Sequence, residues 1–120
     1  MKSILVVDDS SFMRNRIKQA LCSAGFHVVE AMNGIEALEC CSAGNFACIV
    51  TDLVMPILDG IGFLTKLREQ NVTTPVVVLT ADIQQTTRAQ CEELGARRIL
   101  HKPPNAEQLV QAIEYASMAA

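Results

Sequence analysis

The chain has no tryptophan, one tyrosine and four phenylalanines in 120 residues. Rings for stacking a flavin are therefore scarce, which weighs against an electron carrier. No Gly-x-Gly-x-x-Gly run follows the first strand-like segment; the residues there are Asp8-Asp9-Ser10-Ser11, without the glycines that let a backbone approach a dinucleotide pyrophosphate. Cys-x-x-Cys pairs are missing, the five cysteines (Cys22, Cys40, Cys41, Cys48, Cys91) are odd in number, and the histidines show no zinc-ligand spacing. The thiols read as small buried hydrophobes. An excess of charge is also missing: thirteen acidic and ten basic residues leave −3, no reason to expect direct nucleic-acid or anionic-membrane contact. No apolar run approaches the ~20 residues of a membrane helix. The start, Met1-Lys2-Ser3, leads straight into a strand rather than a signal peptide, so a cytoplasmic protein with a protein or small-molecule partner is expected.

What is present is globular in character, half apolar and 19% charged. The length predicts a single domain over residues 1–120, large enough to bury about two-thirds of its unfolded surface. Strand-like runs alternate with stretches of helical periodicity. Ser3 to Val7 reads as a strand, and Met13, Ile17, Ala20, Leu21 and Ala24 mark a helix over 10–24 that Gly25 stops. A second strand spans His27 to Ala31, and Asn33 can cap a helix running to about Ser42. Ala47 to Thr51 is the third strand, followed by a helix from Leu58 to Gln70. Pro75 opens Val76-Val77-Val78-Leu79, apolar enough to be covered on both faces. Asp82 can cap a helix from Ile83 to Leu94, Arg97 to His101 forms the fifth strand, and Asn105 to about Met118 the last helix.

Five β-α units predict an α/β fold: a doubly wound parallel sheet with five helices on its two faces, each crossover right-handed. Ligands bind such sheets at the carboxyl ends of the strands, and in the flavodoxin-like order 2-1-3-4-5 the switch point lies between strands one and three. Those strands end on Asp8-Asp9 and on Asp52. Strands four and five end on Thr80 and Lys102; strand two contributes no obvious chemical group. With neighbouring strands ~4.8 Å apart, a short hydroxyl can serve Asp52 from one strand away, whereas two strands, about 10 Å, call for a long flexible cation.

Three carboxylates at one rim are electrostatically strained. Two unit charges 4 Å apart repel by ~4 kcal/mol at an effective dielectric of 20, so one acid protonates or a cation binds. An all-oxygen site with few carboxylates and room for water suits Mg²⁺. With a divalent ion and Lys102 drawing off charge and Thr80 donating a hydrogen bond, an aspartate could attack a phosphorus in line and become an acyl phosphate.

Asp8-Asp9, the run Asp52-Leu53-Val54-Met55-Pro56-Ile57-Leu58-Asp59-Gly60, Thr80-Ala81 and Lys102-Pro103, in this order on these elements, resemble the CheY-like response-regulator receiver domain over nearly the whole chain. The resemblance implies that Asp52 is the phosphoacceptor. It also implies that Asp9, Asp52 and the Val54 carbonyl ligate Mg²⁺, with Asp8 acting through a water. Thr80, the Ala81 amide and Lys102 would hold phosphoryl oxygens, and Lys102-Pro103 would be cis. The implied partners are a sensor histidine kinase or phosphotransfer protein and, downstream, a protein target or output domain. Such a domain assists its own phosphorylation and dephosphorylation without being a conventional enzyme.

Taken singly, the same residues have plainer uses: Asp8, Asp9, Ser10, Thr80 and Asp82 as caps, Lys102 as a strand-end cation, Asp59-Gly60 as turn or cap. Three positions depart from the family pattern. Ile99 replaces a usual Tyr or Phe, His101 takes a usually apolar place and is expected to pack with a hydrogen bond, and Pro104 replaces a frequent Phe and suits a first helical turn. Val54 and Asp82 would flank the path of the hydrolytic water. A Mg²⁺-dependent phosphohydrolase would need a substrate-covering cap, for which no segment is long enough. The other reading is a receiver-fold interaction module acting without phosphorylation, which Ile99 keeps open.

Overall fold

The computed structural model describes residues 2–81 and 84–118. Its five strands are β1 (Ser3–Val7), β2 (His27–Ala31), β3 (Cys48–Asp52), β4 (Val76–Thr80) and β5 (Ala96–His101). Its helices are α1 (Ser11–Ser23), α2 (Gly34–Ala43), α3 (Gly60–Glu69), α4 (Gln85–Glu93) and α5 (Ala106–Met118). All pairings are parallel, as the alternation of elements predicts, and the order β2-β1-β3-β4-β5 is the expected flavodoxin-like one.

Every residue of β3 and β4 is buried, as expected for strands covered on both faces. Side chains alternate between faces along each strand. Leu5, Val7, Ile49 and Val78 join Phe63 and Leu64 of α3 and Cys91 of α4 in one cluster. Ile4, Val6, Val50 and Val77 join Ile17 and Leu21 of α1 and Leu109 and Ile113 of α5 in the other. These two slabs fix where the carboxyl ends of the strands emerge.

The helix signals in the sequence act as expected at most ends. Ser10, Asn33 and Asp59 each accept a hydrogen bond from the backbone N–H three residues on, so Asp59 does cap its helix. Gly25 follows α1 at φ +94, with its N–H and that of Phe26 donating to the Cys22 and Leu21 carbonyls.

Several expectations are corrected. Helix α3 starts at Gly60 rather than Leu58, because the chain still turns at Ile57 (φ 71), where the Leu58 N–H donates to the Pro56 carbonyl at 2.8 Å, and Asp59 is taken as the cap. Strand β3 extends to include Asp52, and Ala24, the C-cap of α1, is exposed rather than part of its buried face. His101 is exposed at the end of β5, an edge strand less fully covered than its neighbours, and does not pack inward. Of the thiols only Cys48 and Cys91 are buried; Cys22 is exposed and Cys40 and Cys41 are half-buried on α2. Helix α4 is seen from Gln85, preceded by Gln84 without a side-chain cap. The cap expected of Asp82, its place on the hydrolytic path, and Ile83 as first helical residue fall outside the described residues.

Candidate acidic site at the carboxyl rim of the sheet

Asp52 closes β3, paired with Leu79 of β4, and Thr80 is the next residue of that neighbouring strand. Asp52 is almost fully buried (7% exposed), because β3 lies at the centre of the sheet. Oδ1 accepts from the Leu53 N–H at 2.7 Å and, more weakly, from the Val54 N–H at 3.5 Å. The loop following β3 thus folds over one oxygen and leaves Oδ2 for other partners.

That partner is Lys102. Its Nζ lies 2.9 Å from Asp52 Oδ2 and 2.8 Å from Asp8 Oδ2. The Lys102 N–H donates to the Thr80 carbonyl at 2.9 Å, which ties the end of β5 to β4 and sets the starting point of the reach. The peptide to Pro103 is cis. Burial alone would lower the pKa of Lys102, but the Asp8 and Asp52 carboxylates outweigh it and hold the ammonium above its usual range.

Asp8 is buried (1% exposed), its Oδ1 accepting from the Ser10 N–H at 2.9 Å and its own N–H donating to the Ala31 carbonyl of β2 at 3.1 Å. Asp8 Oδ2 has the ammonium as counter-charge, yet the angles fall short of a directed hydrogen bond and that buried oxygen has no hydrogen-bond partner. The contact is an ion pair. Asp9 is exposed. One carboxylate oxygen from each of Asp8, Asp9 and Asp52 lies within 4.8 Å of the others. Octahedral coordination at ~2.1 Å places ligand oxygens about 3 to 4.2 Å apart, so this set fits a small hard cation after slight contraction. An underbonded buried oxygen and an exposed acid close to it suit the same cation.

Among the remaining expected residues, Thr80 is buried at the end of β4, Ala81 is exposed beyond it, and Val54 is 76% exposed in the loop after Asp52. Ile99 is half-buried and packs on the cluster that holds α3 and α4. Two features escape a reading of the sequence. Lys102 pairs with Asp8 as well as Asp52. And β2, expected to add no chemical group, supplies Glu30, which binds Arg14 of α1 while Arg14 Nη1 donates to the Asp8 carbonyl at 2.7 Å. Arg14, Arg16 and Lys18 look alike in the sequence; no spacing rule singles out the first.

The sequence matches the family model described as the response regulator receiver domain over residues 4–114. It is 40% identical over 111 residues to the transcriptional regulatory protein SrrA of Staphylococcus aureus, covering 92% of this chain and 46% of that protein. The chain thus spans about half the length of the curated relatives it matches. Among solved structures, the receiver domain of the Francisella response regulator 1452 superposes with a TM-score of 0.93 at 32% identity, covering 98% of this chain and 97% of that one. The Vibrio cholerae chemotaxis protein CheY4 superposes with a TM-score of 0.91 at 31% identity, over 97% of this chain and 98% of that one.

Proposed function

This chain belongs to the response regulator receiver domain family, the signalling domains of two-component systems, and from that premise we propose that Asp52 accepts a phosphoryl group from a phosphohistidine on a sensor kinase or phosphotransfer protein. The observation that carries the reading is the single ammonium of Lys102 held between Asp8 and Asp52 at one rim with Asp9.

The attacking atom is a carboxylate oxygen of Asp52. It forms a bond to phosphorus as the P–N bond of the donor breaks in line, and the electron pair of that bond stays on the donor imidazole. Lys102, already at the carboxylate, is placed to exchange that contact for a phosphoryl oxygen. The Thr80 hydroxyl and the Ala81 N–H are the further donors. Asp9, Asp52 and the Val54 carbonyl would hold Mg²⁺, with Asp8 acting through a water; when bound, the ion would offset the repulsion between acids and incoming phosphoryl group. A changed partner-binding surface is the output, read by a separate protein or by an output domain; relatives about twice as long as this chain favour the latter. The location proposed is the cytoplasm, where kinase and target would meet; no described helix is long and apolar enough to cross a membrane.

Incubation with Mg²⁺ and a small phosphodonor tests the reading. A mass gain of one phosphoryl group is expected, abolished in Asp52→Asn. No gain with any donor would sink it and leave an interaction module that works without phosphorylation.

A further inference from the structure

The acids of the β1–α1 loop are held unequally. Asp8 is fixed by its own side chain and by its N–H. Asp9 is exposed and has no hydrogen bond or ion pair of its own among the described residues. Its orientation therefore depends on the two peptide planes that flank it: the one to Ser10, whose N–H is held by Asp8 Oδ1, and the one from Asp8, which is held through the Asp8 carbonyl. Because the peptide is planar, fixing that oxygen fixes the direction in which the chain enters Asp9.

Arg14 holds that carbonyl. Its Nη1 donates to the Asp8 carbonyl at 2.7 Å and its Nε to Glu30 Oε1 at 3.1 Å. The guanidinium is itself anchored, with a side chain only 12% exposed, and Lys18 Nζ lies 3.7 Å from the other Glu30 oxygen. A rigid planar fork thus joins β2, α1 and the acidic loop, a role that a single-point ammonium cannot reproduce. Resting on the metal reading above, we propose that Arg14, braced by Glu30, is a positioning residue that sets divalent-cation affinity by orienting the Asp8–Asp9 peptide.

The sign of the effect separates this from simple charge. Arg14 is a cation beside a cation site, so on electrostatics alone its removal tightens divalent binding. Loss of orientation weakens it, by about tenfold on the scale of outer-shell partners. The experiment is a Mg²⁺ titration of the full chain, read by amide shifts at Asp9, Ser10 and Leu53, for wild type, Arg14→Ala and Arg14→Lys. Affinity is expected to fall by about tenfold in Arg14→Ala and to recover only in part in Arg14→Lys, which keeps the charge but not the fork. Equal or tighter binding by Arg14→Ala, with wild type saturating normally, overturns this inference and spares the metal reading. No saturable shift in wild type overturns both. If Arg14→Ala fails to fold, Arg14→Lys decides alone: a weaker site supports the proposal and wild-type affinity overturns it.

Discussion

Val54 sits two residues beyond the carboxylate that would carry the phosphoryl group, with an exposed side chain that has neither donor nor acceptor. A water approaching the acyl phosphate past it gains no hydrogen bond, so the phosphorylated state should be comparatively long-lived. Val54→Asn is expected to shorten its lifetime several-fold, followed as decay of the phosphorylated mass after the donor is removed; an unchanged or slower decay would count against the idea. At this scale the sequence was informative wherever a polar residue interrupted an apolar run. Asp8, Asp52 and Thr80 stood out because a charge or hydroxyl ends or follows a buried strand, and Lys102 because a long cation follows the next strand of the same sheet. Arg14 did not, because a cation on a helix facing solvent is ordinary until its partner across the fold is known.

The loop from β3 into α3 shows how an element holds the site. Asp52 ends the strand, its oxygen takes two N–H groups of the following residues, and Asp59 starts α3 by capping Gly62. Gly60 lies where this path folds back on itself: a Cβ there would stand 2.5 Å from the Asp52 carbonyl oxygen and 2.6 Å from the Leu53 Cα. Both are backbone and neither can swing aside. Gly60→Ala is expected to destabilise the protein by about 1–3 kcal/mol in urea denaturation and to shift the Leu53 and Val54 amides. A variant as stable as wild type with an unchanged Leu53 amide would show that the loop relaxes freely. The helix itself was legible from Ile61, Leu64 and Leu67, but its first turn was not. Periodicity extends back to Leu58, and only the turn at Ile57 and the Asp59 cap reveal that the chain is not yet helical there.

Across the whole molecule the two slabs of core isolate the central strands from solvent. Cys48 of β3 is fully buried, which pushes its thiol up to about 12, and half-burial on α2 pushes Cys41 to about 11. Iodoacetamide near pH 8 is therefore expected to label exposed Cys22 in the native protein and to reach Cys48 only through global opening, since the thiolate is the reactive form. The Cys48 rate should rise steeply with urea toward the unfolding transition; labelling as fast as at Cys22 in native buffer would contradict this packing. The sequence by itself determined the alternation of strands and helices, hence a parallel sheet, and the residues that finish each strand, because apolar periodicity records which face of each element is covered. Tertiary structure alone decided that Lys102, expected at Asp52, also pairs with Asp8, that His101 faces solvent, and that Glu30 reaches the acidic loop through Arg14. Those are distances between residues remote in the chain. They arise from strand spacing, side-chain length and the packing of helices on both faces, which no local pattern encodes.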